Sequence, residues 1–244
     1  MHIGQGLGRA PSPPEERAVY ATRYALAAPA IPEAPTPVVI GVPWYAGAYE
    51  PTVDRDGIAW LRTSDLTGGV VGGHALCLLP EGLDDPEGAH AHYDQGREGA
   101  CVGFAWSRAA SLVEGRLFDG FSLYRRARQV DEWPGEAYDG TSVNAGGRVC
   151  KDEGLWLVRG GRVSKRPSAR WRIGSFRWAP DLETVLRCLK IDPNRGYLEY
   201  LQSWGLGHPR RTRMELEVAD RLIFREDGDA AIAANEPGRP GAAG

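Results

Sequence analysis

The chain has 244 residues, 42% of them hydrophobic, which suits one large domain or two lobes sharing a cleft and excludes both disorder and a small disulfide scaffold. With 29 basic against 32 acidic residues the formal net charge is −3, so nothing marks a nucleic-acid or anionic-membrane partner. No apolar run reaches the ~18 residues of a membrane span and the N-terminus lacks an apolar signal core, so the cytoplasm is the expected compartment.

In chain order, residues 1–37 are rich in Pro and Ala and read as an N-terminal arm or linker, with one short helical pattern in PPEERAVYATRYALAA. PVVIGVPWY (37–45) and GGVVGGHALCLL (68–79) are apolar runs of strand character that can pair in one sheet, and PEGLDDPEG (80–88) is turn-rich. From residue 101 the period changes: Val102, Ala105, Trp106, Ala109, Leu112 and Val113 fall at helical spacing, so CVGFAWSRAASLV is a helix opening at Cys101. A second helix is expected over residues 140–154, stopped at Gly154, and a third over LETVLRCLK (182–190). YLEYLQSW (197–204) reads as a strand and residues 215–228 as a last short helix. The tail from 233 to 244 reads as disordered. Helices in the middle with strands at both ends indicate an α+β protein with a helical lobe and a sheet lobe.

Four cysteines, Cys77, Cys101, Cys150 and Cys188, are spread too widely for a disulfide framework and include no CxxC, which predicts reduced thiols. Cys101 alone stands where a glycine-bearing turn enters a helix. There the unsatisfied amides of the first turn favour a thiolate. Gly96 and Gly99 allow close backbone approach, and Gln95 brings a side-chain amide to the same turn. Backbone and side-chain amides together make an oxyanion hole, worth about 3 kcal/mol per donor. The same spacing also suits a buried structural cysteine.

The run Gln95-Gly96-Arg97-Glu98-Gly99-Ala100-Cys101, followed by Phe104, resembles the nucleophile segment of papain-like (C1-type) cysteine peptidases. GGHALCLL is similar to that family's histidine strand, YLQSWGLG to its Asn-Ser-Trp-Gly strand, and DGTSVNAGGRVCKDEGL to the cleft-lining segment of bacterial and phage members. The resemblance covers residues 38–79 and 94–232 in pieces. It implies a two-lobed fold, with a helical lobe headed by the cysteine helix and an antiparallel sheet lobe carrying the histidine. It also implies a peptide or protein substrate and no cofactor or metal. By motif match Cys101 attacks the carbonyl, His74 holds the thiol proton, and Gln95 with the Cys101 amide binds the oxyanion. Gln202 takes the orienting position, Trp204 packs beside the histidine, and Gly99, Gly140 and Thr141 meet the substrate backbone.

The sequence departs from the family in three ways. His74 precedes Cys101, an order restored by moving residues 38 to about 79 between Lys190 and Tyr197, so the segment reads as permuted. Gln202 stands for asparagine and adds a methylene, which weakens orientation of His74. Glu98 and Val102 replace a disulfide cysteine and a tryptophan, and a carboxylate at 98 would raise the thiol pKa. Two other function classes stay open: a papain-like binding or structural module without catalysis, and an amidase or acyl transferase on a non-peptide amide. His90, His92 and Asp94 in HAHYD would share one face of an extended segment, the spacing of a metal site, but no fourth ligand is evident. Either histidine is the fallback base. His208 and the cluster PRRTR (209–213) read as packing or surface residues.

Overall fold

A computed structural model describes residues 31–133 and 139–234. The helical pattern expected near the N-terminus, and the tail beyond residue 234, lie outside these described residues. The fold is mixed α+β. Eight strands form one sheet in the order β2 (Thr52–Val53), β3 (Ala59–Leu61), β9 (Thr212–Glu215), β8 (Tyr197–Leu201), β4 (Val70–Leu78), β1 (Val38–Tyr45), β10 (Asp229–Ala234) and β7 (Ser175–Trp178). A separate hairpin pairs β5 (Val158–Arg159) with β6 (Arg162–Val163). The helices are α1 (Ala89–His92), α2 (Cys101–Glu114), α3 (Gly120–Val130), α4 (Val143–Asp152), α5 (Leu182–Leu189) and α6 (Leu216–Asp220).

The alternation of side chains along a strand divides the core into two layers. Val38, Ile40, Val42 and Trp44 of β1, with Leu76 and Leu78 of β4, pack against Val185, Leu186 and Leu189 of α5 and Leu222 and Ile223. Val39, Ala75, Cys77 and Leu201 turn the other way, onto Val102, Ala105, Trp106 and Ala109 of α2 and Ala145, Val149 and Cys150 of α4. The central strand β4 runs antiparallel to β1, with Gly41 opposite Ala75, and antiparallel to β8, with Cys77 opposite Leu201. The pairing with β8 is the adjacency on which the permuted order depends.

Several expectations are corrected. The sheet is not purely antiparallel, because β3 joins β9 in parallel. No hairpin links those two strands, so no tight turn imposes their direction. The expected helix over 215–228 is present but shorter, running unbroken from Leu216 to Arg225 as α6 continued by a π-helical turn over Arg221–Arg225, with β9 ending at Glu215 before it and β10 beginning at Asp229 after it. The sheet therefore continues past residue 232. His90 and His92 lie on the helical turn α1 and not on an extended segment, and no cluster of metal-ligating side chains occurs among the described residues. Among those residues no helix is long and apolar enough to cross a membrane.

Candidate active site

Cys101 opens α2, a helix of 14 residues, so its thiol sits among amides with no partner inside the helix. The main-chain amides of Ala75, Val102 and Cys101 itself bear on the sulfur and favour its thiolate. The first of these matters most for location. Ala75 follows His74 on β4, so the nucleophile end of α2 is seated on the histidine strand.

Two pairings hold the seat. The Gln95 amide donates to the Ser203 carbonyl at 2.8 Å, and Gly205 donates to the Tyr93 carbonyl at 3.2 Å, with Asp94 and Trp204 bridged between them. Thus the approach to Cys101 is zipped to the end of β8. Gly205 has φ +64°, and a Cβ there would meet Asp94 Oδ2 at 2.5 Å, so both conformation and space require glycine. Ser203 Oγ donates to Gln95 Oε1 at 2.5 Å, and Gln95 Nε2 donates to the Glu98 carbonyl at 2.8 Å. One N–H of Gln95 is thereby used inside the turn, leaving the other for a ligand.

His74 is buried in an aromatic enclosure. Trp204 stacks on it at 4.8 Å and 18°, Trp44 meets it edge-on at 4.8 Å, and Tyr49 stacks on Trp204 at 5.5 Å. Its Nε2 and both amide atoms of Gln202 have no hydrogen-bond partner among the described residues. The orienting bond implied for Gln202 is therefore not formed. What holds Gln202 is its main chain: Arg108, two turns along α2 from Cys101, donates to the Gln202 carbonyl.

The electrostatics correct one expectation. Burial raises the Cys101 thiol, and the three amides that favour the thiolate do not overcome it. The carboxylate that adds to the rise is Asp139, not Glu98. Burial also pushes His74 down to about 3, which leaves a neutral imidazole at ordinary pH. Tyr49, half-buried beside Trp204, is raised by burial and then by the charge of Cys101, which places its hydroxyl within electrostatic reach of the thiol. Neither fallback histidine serves the thiol: His92 Nε2 is bonded to the Phe118 carbonyl at 3.1 Å, and His90 lies beside Arg108 and Asp85. His208 packs edge-on against Trp204 at 5.0 Å.

Gly140 and Thr141 lie between Asp139, whose Oδ2 accepts from the Gly99 amide at 2.9 Å, and Ser142, which caps α4. Thr141 Oγ1 donates to Asp131 at 3.1 Å. Trp44, Tyr49, Arg108 and Asp139 were not singled out from sequence. Arg108 had a readable signal, as a lone charge on the apolar helix CVGFAWSRAASLV; the others depend on tertiary contact alone.

No family model matches the chain, and no curated protein matches it in sequence. The chain is similar to xylellain, a cysteine protease from Xylella fastidiosa. That likeness has 15% identity and a TM-score of 0.46, and covers 60% of this chain and 83% of that one.

Near the same seat, Asp229 accepts from the Gly41 amide at 3.0 Å, and burial first, then the Glu132 charge, pushes its carboxyl up to about 7. A carboxyl raised in the fold binds its proton between pH 4 and 7 while the unfolded chain does not, so it costs stability as pH rises through that window. Asp229→Asn keeps an acceptor for Gly41 and removes the charge. Because Asp229 retains some exposure, the expected gain is about 2 kcal/mol at pH 8 and near zero at pH 4. Urea unfolding at both pH values checks it.

Proposed function

We propose that this chain is a papain-like cysteine peptidase of the bacterial and phage branch, with its histidine segment permuted ahead of the nucleophile and acting in a reducing compartment. The observation that carries the reading is that Cys101 opens α2 against the core layer that contains Ala75, the neighbour of His74 on β4, while the turn before it is paired to Ser203, next to the Trp204 that stacks on His74. The pairing of β4 with β8 supports the permuted order, and the four unpaired cysteines suit a reducing setting.

In this reading Cys101 Sγ attacks the peptide carbonyl carbon as His74 takes the thiol proton. The oxygen gains the negative charge and is met by the Cys101 amide and the free N–H of Gln95. The intermediate collapses to a thioester, and His74 returns the proton to the departing amine. Water then attacks the thioester with His74 as base, releasing the acid and restoring the thiol. Gly99, Gly140 and Thr141 hold the substrate backbone, and Trp204 shields the imidazole.

A second reading, a papain-like module that binds without turnover, for example within a phage particle, is favoured by the unpartnered amide of Gln202 and by the low pKa of His74. Iodoacetamide labelling combined with a panel of peptide and non-peptide amides separates the readings. For the peptidase, Cys101 labels at least about tenfold faster than Cys77, Cys150 or Cys188, and peptide hydrolysis disappears in Cys101→Ala. Fast labelling without turnover of any amide selects the module; turnover confined to non-peptide amides selects an amidase or transferase. Hydrolysis that survives Cys101→Ala removes Cys101 from the mechanism.

A further inference from the structure

The turn before Cys101 is gripped from outside the pairing of Tyr93–Gln95 with Ser203–Gly205. Asp139 Oδ2 accepts from the Gly99 amide at 2.9 Å, and Oδ1 accepts from the Tyr124 hydroxyl of α3 at 2.6 Å. The approach is close enough that a Cβ on Gly99 would meet the Asp139 carbonyl oxygen at 2.3 Å. One carboxylate thus joins three pieces of chain: the turn into the nucleophile, α3, and the strip Gly140–Thr141 that leads to the Ser142 cap of α4. We propose that Asp139 is a positioning residue that clasps the Gly140–Thr141 edge of the cleft to the Gly99–Cys101 turn through the Gly99 amide and the Tyr124 hydroxyl. The inference deepens the peptidase reading and rests on it for the meaning of that edge.

A clasp made of a carboxylate has an electrostatic cost at the thiol. Asp139 contributes to the raised pKa of Cys101, after burial. The other groups that bear on the sulfur are the Tyr49 hydroxyl, the amides of Ala75, Val102 and Cys101, and, on the peptidase reading, the neutral imidazole of His74, while the Arg97 and Glu98 side chains of its own turn are exposed. On the far side of the clasp, Arg128 donates to the Tyr124 hydroxyl at 3.4 Å. Geometry and charge therefore separate under substitution. Asparagine keeps an acceptor for Gly99 and loses the charge, whereas alanine loses both.

Two readouts that need no turnover test this in the full chain. The first is amide hydrogen exchange at Gly99, and the second is the pH dependence of iodoacetamide labelling at Cys101. Asp139→Ala is expected to speed exchange at Gly99 by about tenfold or more. Asp139→Asn is expected to keep protection within about threefold of the parent and to move the labelling midpoint down by about half a pH unit. Tyr124→Phe, which leaves the charge in place, should leave that midpoint unmoved. If Asp139→Ala leaves Gly99 protected, or if the Asp139→Asn midpoint coincides with the parent's, the clasp is wrong. Failure of the peptidase reading would appear as absent hydrolysis and would leave both readouts unaffected.

Discussion

Arg108→Met is expected to lower the stability of the protein by about 3–5 kcal/mol, because it leaves a buried carboxylate without its main partner. The side chains of Arg108 and Asp85 are each 1% exposed. Arg108 Nε reaches Asp85 Oδ1 at 3.1 Å, its Nη2 reaches Oδ2 at 2.5 Å, its Nη1 holds the Gln202 carbonyl, and its guanidinium lies over the Tyr93 ring at 5.3 Å. After substitution the ion pair left to Asp85 among the described residues is with the more distant Arg210, at 3.6 Å from Oδ2. The pair itself is not what makes the loss large; an isolated buried charge is. Arg108→Met combined with Asp85→Leu should therefore recover most of the loss, leaving the orphaned Gln202 carbonyl at about 1–2 kcal/mol. Urea unfolding of both variants decides it: a single substitution costing under 1 kcal/mol, or a double no better than the single, would show that the pair is not a critical support.

On the proposed peptidase reading, His74→Ala is expected to reduce peptide hydrolysis by about 10²–10⁴-fold, the range for loss of a positioned acid-base group. Its pH signature is specific. With His74 held near 3, the acid limb of kcat/KM belongs well below the ordinary histidine range, and an inflection near 6.5 would contradict the burial described here. Stability carries a second signature. Between about pH 3 and 6.5 the unfolded chain binds a proton at this histidine that the folded chain does not, so His74 costs stability as pH falls through that window. Asp229 has the opposite slope between about 4 and 7. The two slopes oppose each other where the windows overlap, and removing either group should expose the other.

What the sequence revealed was the part governed by local pattern. Residues 101–113 have a continuous helical period, and α2 runs Cys101–Glu114. Gly154, with φ +96°, ends the helix Val143–Asp152 as expected, and LETVLRCLK forms α5 with Lys190 as a left-handed cap. In contrast, α3 escaped notice because GFSLYRRARQV buries only Gly120, Leu123, Tyr124 and Ala127 and presents a charged face that hides the period. DAAIAA has little strand propensity, yet β10 forms because β1 and β7 flank it on both sides. At the site, Cys101, Gln95 and Trp204 could be named from motifs, but their bonds could not. Gln95 spends one N–H on its own turn, Gln202 contributes its carbonyl and not its amide, and Asp139 approaches from a distant segment.

The pairing of β4 with β8 also bears on how the chain reaches this state. β1 and β4 are near neighbours in sequence and can meet early, but Cys77 finds Leu201 only after the intervening chain, with α2, α3, α4 and α5, has been gathered. Closing so long a loop costs entropy before any contact rewards it, and folds dominated by such pairings are slow. The Ser203 and Trp204 contacts to Gln95 and His74 lie just past that pairing. Assembly of the site is therefore expected in the last cooperative step of folding, and a ribosome-bound or truncated chain lacking β8 would carry Cys101 without the wall that encloses His74.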